Sequence, residues 1–152
     1  MGYKTTNELH HFNFKEAYIA SFELSASSFL SYLDHVTILP ENSKNRDIRE
    51  MRTNDLCIKI TDAEIIEFVE EGYKVYDADG NLKSKYEDTP VSPSKYAETF
   101  KELSECMIYS LEKKDDLYTF SIDTEDHTYL LTVKGSGDTE EWERFLSMDA
   151  GL

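Results

Sequence analysis

Two cysteines and many serines are the residues of this chain that could act as nucleophiles, with a histidine as the base. Cys57 or Cys106 would need a base such as His35 or His127 within hydrogen-bond reach, and a carboxylate to orient that base. None of them belongs to a known motif, because the sequence has no Gly-x-Ser-x-Gly elbow, Walker loop, dinucleotide fingerprint or His-Glu-x-x-His helix. Each cysteine lies among apolar residues of a predicted strand, where a small buried side chain is the ordinary role. We therefore expect no catalytic residue, and a binding protein rather than an enzyme.

The segment Asp77-Ala-Asp-Gly-Asn81 has the oxygen ligands with which a calcium-binding loop begins. An EF-hand also needs Gly at loop position 6 and Glu at position 12, where this chain has Leu82 and Asp88. The Asp-Gly pair instead favours a tight hairpin turn. We therefore predict no metal site and no cofactor.

Three of the four arginines, Arg46, Arg49 and Arg52, lie in one polar segment, residues 41–54. A guanidinium group makes planar, bidentate contacts to carboxylates. The arginines either brace the acidic half of their own domain or make a secondary contact to a partner, and we favour bracing because polar loops often lock themselves in place. Phosphate binding is a weaker third reading, since the surrounding field is negative.

Net charge is the bulk property that says most about partners. The chain has 31 acidic and 16 basic side chains, with a net charge of -1 over residues 1–60 and -14 over residues 61–152. Such a field repels nucleic-acid phosphates and anionic lipid head groups, and it speeds the encounter with a basic protein. We therefore predict a basic protein partner, no nucleic acid and no membrane. The competing explanation is that the acidity only keeps the protein soluble.

The predicted partner-binding surface lies on the acidic half and combines carboxylates with aromatic anchors. Its first group consists of Glu67, Glu70, Glu71, Tyr73, Tyr76, Asp77 and Asp79. Its second group, around two charged turns, consists of Asp115, Asp116, Tyr118, Asp123, Glu125 and Asp126. For any one of these residues, the alternative is an ordinary solvated surface position.

The length of 152 residues is typical of one domain, and the chain has no repeat and no linker-like stretch. No run of about 18 apolar residues is present, and residues 1–15 are polar where a secretory signal would be apolar. We expect a single cytoplasmic domain over residues 1–152, with residues 1–12 mobile. Two cysteines are too few for a disulfide framework. The oligomeric state stays open.

Several patterns predict strands. Apolar and polar residues alternate in 18–24 and 56–60, and 29–39 is rich in aromatic and β-branched residues. The segment 82–86 returns from the Asp-Gly turn, and charged turns separate 107–111, 118–122 and 128–133. Residues 62–72 fit either a helix that begins with a capping box at Thr61 or a strand that continues towards Val75, and we favour the strand.

Two helices are predicted. Ser92 and Pro93 are typical of a helix start, and Tyr96, Phe100 and Leu103 form an apolar stripe, so the first helix spans residues 93–104. The second spans residues 138–148, with acidic residues near its amino end, where the helix dipole favours anions. The predicted fold class is α+β, with a mainly antiparallel sheet of about six to eight strands.

Two segments resemble parts of small uncharacterised proteins of Gram-positive anaerobes: Asn45-Arg-Asp-Ile-Arg-Glu-Met-Arg52 and Glu71-Gly-Tyr-Lys-Val-Tyr-Asp-Ala-Asp-Gly-Asn81. In size, acidity and lack of motifs, the chain is also similar to immunity proteins of bacterial toxin systems, including contact-dependent growth inhibition. That resemblance implies a cytoplasmic inhibitor of a basic, nuclease-like toxin domain. Two other classes stay open: a small-ligand binding module with a pocket in the sheet, and an enzyme whose site is assembled from distant residues.

Overall fold

Antiparallel strands make up most of the structure, and their side chains follow the alternation of the sequence. The computed structural model describes residues 2–46, 48–125 and 127–147. In chain order its strands are β1 (Tyr3–Thr6), β2 (Phe12–Asn13), β3 (Tyr18–Ser25), β4 (Ser28–Asp34), β5 (Val36–Ile38), β6 (Met51–Thr53), β7 (Leu56–Thr61), β8 (Glu64–Glu70), β9 (Tyr73–Tyr76), β10 (Leu82–Tyr86), β11 (Thr89–Pro90), β12 (Met107–Lys114), β13 (Leu117–Asp123), β14 (Thr128–Lys134), β15 (Gly137–Trp142) and β16 (Leu146–Ser147). The α-helix α1 (Tyr96–Glu102) follows a 3-10 turn at Pro93–Lys95, and a second 3-10 turn spans Leu9–His11.

Ten strands form one sheet, in the order β1-β15-β7-β4-β3-β12-β13-β14-β8-β11. A four-stranded sheet has the order β16-β6-β5-β2, and β9 and β10 form a separate two-stranded sheet. Strand β7 pairs with β15, and β8 pairs with β14, both antiparallel. A short break at residues 62–63 and 135–136 separates the two pairings. A Cβ atom on Gly135 would lie 2.3 Å from Ile60 Cγ2 and 2.9 Å from Thr61 O, so the close approach at this break requires glycine.

The core lies between the two halves of the large sheet. Phe29 of β4 and Phe120 of β13 are not on neighbouring strands, yet their ring centroids are 5.7 Å apart. Helix α1 adds Phe100, whose ring lies 5.9 Å from Phe22 and 5.6 Å from Phe68. Aromatic pairs at these distances stabilise a core beyond the area that they bury. The bulky aromatic residues therefore hold the sheet halves and the helix together.

The structure confirms the coarse fold class and the first predicted helix. The sheets are antiparallel throughout, and residues 93–102 form the 3-10 turn and α1, with Phe100 and Leu103 buried. Residues 64–70 form the strand β8, which is the alternative favoured for the ambiguous segment 62–72. The segment is rich in β-branched and aromatic residues, which suit a half-buried strand. It pairs with β14 and so extends the large sheet.

Two parts of the fold prediction are wrong. The described residues form sixteen strands rather than six to eight, because several strands have only two to four residues and are too short to show alternation. The predicted helix at 138–148 is absent over 138–147, where the chain forms β15 and β16, and residue 148 lies outside the described part. Asp138, Glu140 and Trp142 are all buried, so the segment has the two-residue period of a strand.

The amino-terminal residues pair with β15, from Tyr3 opposite Trp142 to Thr6 opposite Thr139. Thr5 is buried. The mobility expected for residues 1–12 stays a prediction. Within the described ranges, no helix has the length and apolar character needed to cross a bilayer.

Candidate functional site

An open cleft lies beside the end of β8 and the turn between β13 and β14. It has a volume of about 370 Å³ and is lined by Glu71, Gly72, Tyr73, Asp123, Thr124, Glu125, His127 and Thr128. We call this site the acidic cleft. Three carboxylates line it, and its described lining residues include neither Lys nor Arg. Like charges held together without a counter-charge favour the binding of a cation.

Hydrogen bonds fix the walls of the acidic cleft. The Glu71 amide donates to Thr128 O at 2.8 Å, which joins β8 to the start of β14. The turn is closed by the Thr124 amide, which donates to His127 O at 2.8 Å, and by the His127 amide, which donates to Thr124 Oγ1 at 2.9 Å. On the other wall, the Gly72 amide donates to Asp88 Oδ1 at 2.7 Å. The carboxylates therefore stand on a preorganised frame, which lowers the entropy cost of binding.

Glu70 lies behind the cleft and has partners for both carboxylate oxygens. His127 Nδ1 lies 3.3 Å from Glu70 Oε1, and the Tyr129 hydroxyl donates to Glu70 Oε2 at 3.2 Å. Burial and the nearby Glu70 charge raise the pKa of Tyr129 to about 12, so this hydroxyl stays a donor at physiological pH. Glu70 thus positions His127 at the cleft.

The hairpin β9–β10 begins at the edge of the cleft. A Cβ atom on Gly72 would lie 1.9 Å from Tyr86 O, so the hairpin can start there only from glycine. Tyr73 and Tyr86 stack at the base with ring centroids 4.5 Å apart. At the tip, Asp77 Oδ1 accepts hydrogen bonds of 2.9 Å from the amides of residues 79 and 81. Asp77 therefore closes the predicted turn.

The remaining candidates of the first group, Glu67, Tyr76 and Asp79, are exposed but do not line the cleft. Tyr76 and Asp79 belong to the hairpin and its turn, and Glu67 lies on β8 opposite Thr132. The structure thus brings together Glu71, Tyr73, Asp123 and Glu125, and Glu70 contacts the lining residue His127. The candidate Asp126 lies outside the described residues.

Asp115 and Asp116 lie at the other end of β13. The strand has seven residues and ends at Asp123, so its two ends lie about 20 Å apart. A second cleft of about 360 Å³ lies there, and its lining includes Lys113 and Lys134. Lys134 Nζ is 3.8 Å from Asp116 Oδ2. The predicted acidic surface is therefore divided in two, and only the end with the acidic cleft lacks Lys among its described lining residues.

Tyr118 was predicted as an exposed aromatic anchor, and the structure places it inside the protein. Its side chain is fully buried, and its hydroxyl donates to Asp138 Oδ2 at 2.6 Å. The alternation of Tyr118, Phe120 and Ile122 points these three residues to the core face of β13. Tyr118 therefore cannot meet a partner in this conformation.

Asp138 and Glu140 form a buried carboxyl pair that sequence reasoning missed. Asp138 Oδ2 accepts the Tyr118 hydroxyl and, at 3.0 Å, Lys113 Nζ. Glu140 Oε1 accepts the Thr5 hydroxyl at 2.9 Å and the Glu8 amide at 3.1 Å. The other oxygens, Asp138 Oδ1 and Glu140 Oε2, have no donor from elsewhere in the described protein. Asp138 and Glu140 lie two residues apart on one face of β15, where the two carboxyl groups can share one proton carried by Glu140.

The pKa values of the pair agree with this shared proton. Burial, together with the hydrogen bond and the charge of Asp138, raises the pKa of Glu140 to about 9. Burial opposes the ionisation of Asp138, but hydrogen bonds from Glu140, Tyr118 and Lys113 outweigh it and lower the pKa of Asp138. Burial and the Asp138 carboxylate raise the pKa of Tyr118 well above its ordinary value. At neutral pH the pair holds one negative charge, which Lys113 balances.

The buried pair ties the amino-terminal segment to the sheet rather than facing a ligand. Besides the bonds to Thr5 and Glu8, the Asn7 amide donates to Asp138 O at 2.9 Å, and Asn7 Oδ1 accepts the Asp138 amide at 3.0 Å. The Asp138 side chain is fully buried beneath the half-exposed Lys113. The sequence signal for this pair is the alternation of Asp138 and Glu140 with Trp142, which is typical of a strand. The predicted helix start at Asp138 did not use that signal.

The arginine-rich segment, residues 41–54, is held to the fold by the side chain of Asn45. Asn45 Nδ2 donates to Ile38 O at 3.3 Å, to Leu39 O at 3.2 Å and to Arg49 O at 3.2 Å. Arg46 and Arg49 are exposed, whereas Arg52 lies half-buried in β6 between β5 and β16. Bracing by the guanidinium groups and contact with a partner both stay open.

Neither cysteine is arranged as a nucleophile. Both thiols are free and half-buried, and burial raises the pKa of each. Cys106 Sγ donates to Glu102 O at 3.7 Å, and in the described part of the chain neither thiol bonds to a histidine. A raised pKa lowers the thiolate fraction at neutral pH. Within the described residues, no group of three or more His, Cys, Asp or Glu side chains is arranged to hold a metal ion.

Comparisons of the chain with protein-family models, with curated proteins and with solved structures find no match. No residue role is therefore transferred from another protein.

Proposed function

We propose that this protein is a cytoplasmic protein-binding inhibitor that holds a basic partner in its acidic cleft. The observation that carries the proposal is the convergence of Glu71, Asp123 and Glu125, from two distant segments, around one open cleft whose described lining has no Lys or Arg. Tyr73, at 48% exposure, stands beside them as an aromatic anchor. Charge complementarity of this kind speeds association and excludes acidic competitors.

An immunity protein that neutralises a nuclease-like toxin domain is the form of inhibitor that we favour. A nuclease binds phosphates with basic side chains, and a cluster of carboxylates can occupy the same basic site. The overall charge of -15 supports capture of such a domain. The resemblance to immunity proteins in size, acidity and lack of motifs supports this role.

A pull-down from lysate of the source cells tests the proposal, with washes at about 0.15 M and then about 1 M salt, because screening weakens exposed charge contacts. We expect a stoichiometric basic protein that the second wash weakens. In calorimetry with that partner, the variant Glu71→Gln/Asp123→Asn/Glu125→Gln should bind at least about tenfold more weakly. The matched control Glu23→Gln/Glu41→Gln/Glu112→Gln makes the same charge change at exposed positions that do not line the cleft.

Equal weakening by both triple variants would show that only net charge matters and would contradict a specific cleft. Recovery of no partner at either salt, under growth conditions in which the protein is expressed, would contradict the inhibitor role.

A small-ligand binding module is the second candidate, because Tyr73 and His127 both line the cleft. Its chemistry favours a cationic amine, for which carboxylates and an aromatic ring are suitable contacts. Titration with spermidine separates the two functions. Saturable binding that the cleft variant abolishes, with no protein captured from lysate, would favour the ligand module over the inhibitor.

A further inference from the structure

The hairpin β9–β10 differs from the rest of the molecule in both exposure and charge. It forms a two-stranded sheet of its own, and it exposes Tyr73, Tyr76, Leu82 and Tyr86 by 48 to 56% each. Residues 73–86 contain three Lys and two Asp, a net charge of +1, whereas the rest of the chain carries -16. An exposed apolar and aromatic surface on a separate ribbon is typical of an interaction surface.

One face of the hairpin combines positive charge with apolar side chains. The register places Lys74 directly opposite Lys85, and Tyr76 opposite Leu82. Alternation along the strands puts these four side chains on one face, and Tyr73 and Tyr86 on the other. We call the first the cationic face.

Like charges directly opposite each other destabilise a hairpin. Lys85 Nζ lies 3.3 Å from an exposed Glu87 carboxylate, a contact that contributes little in water. In the described part of the chain, Lys74 has no ion pair. An anionic surface laid on the cationic face would relieve this repulsion and cover Tyr76 and Leu82 at the same time.

The acidic cleft of a second copy has the complementary chemistry. Glu71, Asp123 and Glu125 supply the negative charge that the cationic face lacks. The cleft lies at the base of the hairpin, because Tyr73 both lines the cleft and begins β9. In a two-fold interface the same surface patch of each copy must be complementary to itself. The patch formed by the acidic cleft and the neighbouring cationic face meets this requirement, because it contains both charges.

We propose that the protein forms a two-fold symmetric homodimer in which the cationic face of each hairpin docks on the acidic cleft of the other copy. The dimer covers the cleft until a basic partner displaces the second hairpin. Formation of the homodimer requires only the purified protein. The test of the homodimer can therefore fail or succeed independently of the test with a basic partner.

Sedimentation equilibrium of the purified protein tests the dimer, at about 0.15 M salt and from about 1 µM to about 1 mM protein. We expect a reversible monomer–dimer equilibrium. The variants Lys74→Glu/Lys85→Glu and Asp123→Lys/Glu125→Lys should each weaken it at least about tenfold. Mixing the two variants should restore a heterodimer, because the altered hairpin of one copy then meets the altered cleft of the other, and the unaltered hairpin meets the unaltered cleft.

The control Lys15→Glu/Lys44→Glu changes net charge as the hairpin variant does, at exposed positions elsewhere. It should leave the equilibrium nearly unchanged. The two test variants shift net charge in opposite directions, so an effect of net charge alone would weaken the dimer in one and strengthen it in the other. Circular dichroism confirms that each variant folds. A wild-type monomer throughout the range, a dimer that resists both variants, or a mixture that does not associate would overturn the proposal.

Discussion

The acidic cleft and the buried carboxyl pair place the same chemical group in opposite surroundings. In the cleft, Glu71, Asp123 and Glu125 line an open cavity together, and their charges are available to a cation. In the pair, Asp138 and Glu140 are shielded from water, and hydrogen bonds, a lysine and one shared proton satisfy them. A carboxylate stabilises the fold where donors surround it, as at Asp138, and it is available for binding where few donors reach it, as at Asp123, which accepts only a 3.4 Å bond from the Thr128 hydroxyl within the described residues. Substitutions in the two places should therefore have opposite consequences.

The largest expected effect is the loss of stability on removing the Asp138 carboxylate. In Asp138→Ala, the Tyr118 hydroxyl and the Lys113 ammonium lose their buried acceptor, which should lower the free energy of unfolding by about 3–5 kcal/mol. Urea denaturation followed by circular dichroism measures it. The control Glu125→Ala, at an exposed position of the cleft, should change it by less than about 0.5 kcal/mol. Similar values for the two variants would remove the distinction between pair and cleft.

The second effect is a pH dependence that belongs to Glu140. The native state keeps Glu140 protonated up to about pH 9, whereas the unfolded chain ionises it near its ordinary pKa. Between these values the native state holds one more proton. Stability should therefore fall as pH rises, by at most about 1.4 kcal/mol per pH unit.

In Glu140→Gln, an amide replaces the protonated carboxyl group, so this contribution to the slope should disappear. The difference between wild type and variant in urea denaturation from pH 5 to pH 9 isolates it. The lowered pKa of Asp138 acts in the opposite direction, but only in more acidic solution. Parallel curves for the two proteins would contradict a shared proton.

An intermediate effect is expected at the base of the hairpin. Gly72→Ala would place a Cβ atom 1.9 Å from Tyr86 O, so the strands must separate there at a cost of about 1–3 kcal/mol. Thermal unfolding measures the loss. Gly80, with a φ of +85°, has open space around it. Gly80→Asn should be milder, since Asn tolerates this conformation. A larger loss from the Gly80 variant would contradict the close approach at Gly72.

The smallest effect on stability is expected from the cleft carboxylates themselves. Glu71→Gln, Asp123→Asn and Glu125→Gln should each change the free energy of unfolding by less than about 0.5 kcal/mol, because each removes charge repulsion and the Asn amide oxygen still accepts the 3.4 Å bond from the Thr128 hydroxyl. Thermal unfolding at low and high salt checks this. A loss above about 1 kcal/mol from any of them would make that residue part of the fold rather than of a binding site.

The fold was predictable where one pattern extended over enough residues. Pro93 and the stripe through Phe100 correctly indicated the helix, and apolar alternation found the long strands. Asp138, Glu140 and Trp142 have the same alternation, but acidic residues at the start of this segment also suit the amino end of a helix, and that pattern predicts a helix where the structure has a strand. A buried carboxyl pair depends on Thr5, Lys113 and Tyr118, and nothing in the sequence shows that these distant residues meet.

Some of the residues that line the cleft were named from the sequence, but the cleft itself was not predicted. Acidity and nearby tyrosines pointed to Glu71, Tyr73, Asp123 and Glu125, which the structure brings together. The sequence could not show that Asp115 and Asp116 lie at the opposite end of β13, because that depends on the direction of the strand. Tyr118 alternates with the buried residues Phe120 and Ile122, which indicates a core position. The prediction of an exposed anchor rested instead on the acidic residues beside it in the sequence.

Amide hydrogen exchange on the complex with the captured basic partner tests the binding role of the acidic cleft most directly. We predict that the partner slows exchange in residues 71–73 and 123–128, which form the cleft, and leaves residues 112–118 at the other end of β13 unchanged. Slowed exchange confined to residues 112–118, or to the arginine-rich segment 41–54, would contradict the account.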